Sequence, residues 1–168
     1  MLRTDPLTAE DVIGEPAKVQ LETFLDEHRL MLHECLDGLT EEQARRSLVA
    51  SKTTLLGLVK HATFVEKVWF GEAVSCRPRA ELGIPAGPDE TFDLTDSDSI
   101  SSVRRAHLDA CADSRRAVVG LELDDLLHGN RRGPLPLRWA YVHVLRELAQ
   151  HCGHADILRE QLLQPASA

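Results

Sequence analysis

The chain has 168 residues, of which 43% are hydrophobic and 27% charged, and a formal net charge of −8. That length suffices for one domain with a continuous core and no structural disulfide or metal, and the composition is that of a folded protein and not of a disordered one. The acidic balance excludes a surface built to track phosphates, so DNA and RNA are not expected partners.

No apolar run approaches the roughly 20 residues that span a bilayer, so no membrane segment is expected. The acidic start, residues 1–16, lacks the basic-then-apolar order of a signal peptide, and a cytoplasmic location is expected. Cys35, Cys76, Cys111 and Cys152 include no CxxC pair, which excludes a zinc ribbon or dithiol redox motif and predicts reduced, mostly buried thiols. Only four of the 19 basic residues are lysine, a bias that suggests a GC-rich genome.

One domain is expected over residues 1–168, beginning with an N-terminal extension at 1–13. Helix one is predicted over 14–38, from Gly14-Glu15-Pro16, with proline suited to a first turn, to Gly38, suited to the end of a helix. Val19, Leu21, Phe24, Leu25, Met31, Leu32 and Cys35 form its apolar face, and Glu22, Asp26, Glu27 and Arg29 mark its wetter side. Thr40-Glu41-Glu42-Gln43 reads as a capping box that starts a short connecting helix.

Helix two, 53–71, places His61 among apolar neighbours. A long Pro-, Gly- and acid-rich loop follows from Cys76 to about Asp96. Helix three is predicted over 97–120, its start marked by a run of Asp and Ser caps, with Val103, Ala106, Leu108, Ala110, Cys111, Ala117 and Val118 apolar. A second loop, Leu121 to Pro136, carries His128-Gly129-Asn130-Arg131-Arg132-Gly133-Pro134, turn chemistry with two arginines. Helix four runs over 136–163, and no strand is expected. The fold class is therefore all-α, a four-helix bundle with a short extra helix and two long loops.

Helix four concentrates His143, Glu147, His151 and His154. At about 100° per residue, His151 lies roughly 40° from the centre of the stripe formed by Ala140, Tyr141, Val144, Leu148, Ala155, Leu158 and Leu162. Glu147 lies roughly 80° from it, His154 roughly 100° and His143 roughly 120°. Glu147 and His151, four apart, share a face from which a carboxylate and an imidazole converge on one cation, and His61 is the donor from a facing helix. Two imidazoles and a carboxylate suit zinc or another divalent metal and leave a coordination position open. Spacing alone leaves a second reading, in which the histidines are hydrogen-bonded core residues and Glu147–His151 is an ordinary helical pair. Cys152 is read as a small core residue, and His28, His33, His107 and His128 as surface residues or residues behind the site.

The stretch Arg146-Glu147-Leu148-Ala149-Gln150-His151-Cys152-Gly153-His154-Ala155-Asp156-Ile157-Leu158-Arg159-Glu160 resembles the last helix of DinB-like proteins, with Gly153-His154-Ala155-Asp156 its most specific part. Leu55-Leu56-Gly57-Leu58-Val59-Lys60-His61-Ala62, followed by Trp69-Phe70, resembles that family's second helix. The likeness spans Pro16 to Leu163 and is closest to the branch of mycothiol-dependent maleylpyruvate isomerases and mycothiol transferases. Many DinB-like proteins bind metal through three histidines. Here Glu147 stands at the first of the two positions on the last helix, so His61, Glu147 and His151 match the His/Glu/His variant of the mycothiol-dependent isomerases, and His154 stands where many relatives have glutamine.

The resemblance implies an up-down-down-up bundle, a divalent metal (zinc, or nickel), and a homodimer. It further implies a metal-dependent mycothiol S-transferase or isomerase acting on small electrophiles, with mycothiol as co-substrate. His154 would then be a catalytic group steering a proton or hydroxyl, and Arg131 or Arg132 would meet an anionic substrate. Metal-assisted hydrolysis and a non-enzymatic, stress-related metal- or ligand-binding bundle are the alternatives.

Overall fold

The computed structural model describes residues 7–164; residues 1–6 of the expected N-terminal extension and residues 165–168 of the expected domain lie outside the described residues. After a 3-10 turn at Ala9–Val12, α1 covers Ala17–Glu34. It is shorter than predicted at both ends. Pro16 precedes the first turn in an extended conformation, and the chain after Glu34 tightens into a turn closed by Gly38 at φ 72°. The predicted capping box starts α2 (Glu41–Arg45): the Gln43 N–H donates to Thr40 Oγ1 at 3.2 Å and the Thr40 N–H to Gln43 Oε1 at 2.9 Å.

In α3 (Leu55–Glu66), capped by Thr54, every residue except Lys60 is buried. A helix without a wet face belongs in the interior, and α3 accordingly packs on both α6 (Ile100–Ala117) and α7 (Leu137–Leu163), while α1 packs on α7. The predicted stop at Gly71 is overrun. The helix continues through a π-helical stretch, Lys67–Glu72, and α4 (Ala73–Ser75), ending at Cys76 with φ 57°. The first long loop then holds α5 (Arg79–Leu82) and a 3-10 turn, Asp89–Phe92. Helix three is trimmed to α6, which starts after the Ser99 cap, and helix four starts after Pro136 much as predicted.

The expectation of no strand fails at one place. β1 (Leu126–Leu127) pairs antiparallel with β2 (Leu135–Pro136) across the second loop. Two-residue strands are too short for alternation to show in a sequence. The fold is otherwise all-α, and among the described residues no helix is long and apolar enough to cross a membrane.

The predicted apolar face of α1 needs correction. Its buried line is Leu25, Arg29 and Leu32, whereas Phe24 and Met31 are 38% and 44% exposed. Arg29, expected on the wet side, is buried because Glu66 of α3, fully enclosed, meets it through two hydrogen bonds, Nε to Oε1 at 2.8 Å and Nη2 to Oε2 at 2.6 Å. Asp26 bridges Arg29 and Arg115, which ties α1 to α6 as well.

His107, expected outside the core, is 1% exposed beside this cluster. Burial, reinforced by the nearby charges of His33, Arg29 and Arg115 and opposed by Glu66, lowers its pKa to about 4. An unfolded histidine titrates near 6.5, so as pH falls the unfolded chain takes up a proton that the native state refuses. The stability this represents is complete above about pH 6.5 and is lost as pH falls toward about 4. Urea midpoints should therefore decline between pH 7 and pH 4.5, and less so in His107→Gln; equal declines in the two proteins would contradict this.

Candidate metal centre

Helix α7 presents His143, Glu147 and His151 at successive four-residue steps, and the buried His61 of α3 faces them. One ligand atom each from His61, Glu147 and His151 lie within 4.8 Å of one another. The imidazoles of His61 and His151 meet edge to face, centroids 4.8 Å apart and planes at 81°. Glu147 Oε2 is 3.8 Å from His151 Nε2. The three residues expected to share a site do converge.

His61 is held from behind. Its ring stacks on Phe92 at 4.6 Å, and its Nδ1 is 2.7 Å from Thr91 Oγ1, while the Thr91 hydroxyl also contacts the Pro88 carbonyl. A carbonyl only accepts, so the threonine hydrogen goes to Pro88 and the threonine oxygen accepts from His61 Nδ1–H. That assigns the tautomer whose Nε2 lone pair is free for a ligand. Thr91 is buried within the first long loop, where no periodic pattern marks it.

Both ring nitrogens of His151 are buried without a hydrogen-bond partner. Orphaned imidazole nitrogens are costly, and a cation at this point would satisfy one of them, so the residues fit a divalent metal. Burial is the main reason that both histidines have lowered pKa values, His61 to about 4, aided by its neighbour His151 and opposed by Glu147. Both imidazoles are therefore neutral at pH 7, with lone pairs available to a metal. Thr91→Val is expected to weaken metal affinity by about 10- to 100-fold, the usual effect of losing an outer hydrogen-bond partner. Competition against a chromophoric chelator measures it, and wild-type affinity would remove Thr91 from the site.

His143, which the helical wheel placed furthest from the apolar stripe, belongs to the same cluster. Its ring lies 4.1 Å from that of Trp69 and stacks on Trp139 at 5.0 Å with planes 8° apart. Its Nδ1 is 3.1 Å from an Arg146 nitrogen, which only donates, so its Nε2 carries the proton and points toward Glu147 Oε1 at 3.7 Å. The wheel missed His143 because Trp69, in the π-helical stretch, extends the buried surface past the edge of the apolar stripe. Arg146, Glu147, His143, Trp69 and His61 line a cavity of about 580 Å³ with Arg79, Arg131 and Arg132.

His154, one turn beyond His151, is exposed and lines a separate cavity with Val49, Ser51, Thr53, Ile157 and Leu158; its ring is 5.9 Å from that of His151. Cys152 is buried as expected, and burial raises its thiol pKa to about 11. Cys35 and Cys111 are buried too, which agrees with mostly buried thiols, while Cys76 is exposed at the end of α4.

No curated protein matches the chain. The sequence of one family, described as Mycothiol-S-transferase, matches residues 20–164, a span that runs from the first turns of α1 to the end of α7 and includes all three converging residues. The chain therefore belongs to the mycothiol S-transferase family.

Proposed function

We propose that this protein is a metal-dependent thiol S-transferase that joins mycothiol to a small electrophile. The convergence of His61, Glu147 and His151, two of which, His61 and Glu147, line a 580 Å³ cavity, is the observation that carries the reading. In this reading the four long helices α1, α3, α6 and α7 form an up-down-down-up bundle, whose interior is where facing helices commonly build metal sites. His61, Glu147 and His151 would hold a divalent metal, zinc or nickel, leaving one position open. A cation there supplies a positive charge that favours the ionised form of a thiol beside it.

The remaining work falls to the chain's own groups. The thiol loses its proton, its sulfur forms a bond to the electrophilic carbon, and the displaced electron pair leaves with a departing group or moves to a neighbouring atom that takes up a proton. Burial keeps the neighbouring His143 imidazole neutral, able to exchange that proton. The sequence reading gives the proton-handling role to His154; the cavity wall favours His143, which lines the same space as the metal ligands. Glutamine at each position separates the two, since the proton-handling residue should depress kcat more than KM.

Turnover of a chromogenic aryl halide by the zinc-loaded protein tests the function. Mycothiol is expected to support it, with little activity when the thiol is omitted. Consumption of the electrophile at the same rate without thiol would show a hydrolase instead.

A further inference from the structure

Four arginines face the cavity beside the proposed metal centre, in a chain whose net charge is −8. Arg79 is paired with Glu72, Nη2 to Oε2 at 2.9 Å, and Arg146 contacts Glu147 at 3.2 Å. Arg131 and Arg132 have no carboxylate within ion-pair distance among the described residues. Arg131 donates to the Ala86 carbonyl at 2.5 Å, and the Arg132 guanidinium stands over Trp69, 5.4 Å from the ring centroid. Two unneutralised guanidinium groups side by side reverse the local sign of an acidic protein.

The loop that carries them is built, not merely exposed. Its Gly129 N–H donates to the Ala73 carbonyl at 2.9 Å, and a β-carbon at Gly129 would lie 2.0 Å from the Glu72 carbonyl oxygen, so only glycine lets the loop approach α4 this closely. The buried Asn130 then makes the turn: its side-chain oxygen accepts from the Arg132 N–H at 2.9 Å and its carbonyl from the Gly133 N–H at 2.9 Å, with Gly133 at φ 92°. Both arginines are thus presented by a turn ordered before any ligand arrives, which lowers the entropic cost of binding.

We propose that Arg131 and Arg132 form an oxyanion subsite, which makes the electrophile of the proposed reaction an anionic one, a carboxylate-bearing molecule whose reacting carbon is left in the cavity that His61 and Glu147 also line. Guanidinium groups match carboxylate oxygens in charge and in planar geometry. The inference rests on the thiol-transfer reading for the word electrophile, but the subsite is testable without it.

The probe is succinate, with neutral succinamide as control, titrated against the purified protein and followed by tryptophan fluorescence, since Trp69 lines the cavity. Succinate is expected to give a saturable change that succinamide does not, about 10- to 100-fold weaker in the Arg131→Ala/Arg132→Ala protein, as for loss of charge-assisted hydrogen bonds. Unaltered succinate binding in that variant, or equal responses to both probes, would overturn the subsite. So would a succinate response that disappears in metal-free His151→Leu protein, because the anion would then be held by the metal. If no thiol is ever transferred, the reaction reading fails, while arginine-dependent succinate binding would still establish the subsite.

Discussion

Leucine at position 151 is expected to abolish stoichiometric metal binding and, at the same time, to leave the metal-free protein at least as stable as the metal-free wild type. Removing a direct ligand should cost more than the roughly 10- to 100-fold that an outer partner costs, so zinc affinity should fall by over about 100-fold. The stability gain has a separate cause: His151 has two buried nitrogens with no partner, each an unsatisfied group of about 1–3 kcal/mol, and leucine has none. Added zinc should therefore raise the melting temperature of the wild type and not that of His151→Leu. If His151 were an ordinary polar core residue, zinc would leave both melting curves where they were. His61→Ala should lose the metal likewise, which separates ligand loss from any effect peculiar to α7.

Removing Arg29 is expected to cost about 3–5 kcal/mol, because it leaves the enclosed Glu66 charge uncompensated, whereas removing Glu66 leaves Arg29 still paired with Asp26 and should cost less. Burial by itself disfavours the charged Arg29, but the charge of Glu66 and its hydrogen bonds outweigh that, and the guanidinium is held more firmly protonated than in water. Arg29→Met should shift the urea midpoint strongly downward, and Glu66→Met less so. The double variant should lose much less than the sum, since it removes both charges and fills the space with carbon. Additive losses in the double variant would mean that the two side chains contribute through packing and not through each other. The pair holds α1 against α3, and Asp26 extends it to Arg115 on α6, so its loss should loosen the packing of these three helices.

Much of the fold was legible because helices α3 and α7 declare themselves through caps and periodicity. The stripe Ala140, Tyr141, Val144, Leu148, Ala155 and Leu158 is buried, with Leu162 at its end partly so, and Thr54 and Ser99 cap the helices they precede. Part of the converging cluster was legible for the same reason: Glu147 and His151 are four residues apart on one helix, a local relation that the helical repeat dictates. His61 was legible as a polar residue inside an apolar helix.

What escaped was set by contacts between segments distant in the chain. Arg29 reads as solvent-facing until Glu66, 37 residues later, is found against it. His107 reads as a surface residue until the neighbouring helices close over it. Thr91 lies in a stretch without periodicity, and its bond to His61 spans 30 residues. His143 joins the site only because Trp69 and Trp139 flank its ring. The sequence by itself determined the helices, the pairing of Glu147 with His151 on one face and the turn that carries Arg131 and Arg132, since each follows from residues within a few positions of one another. Only the tertiary structure decided which charges are buried, which tautomer His61 adopts and which arginines go unpaired, because those depend on partners that only packing brings into contact.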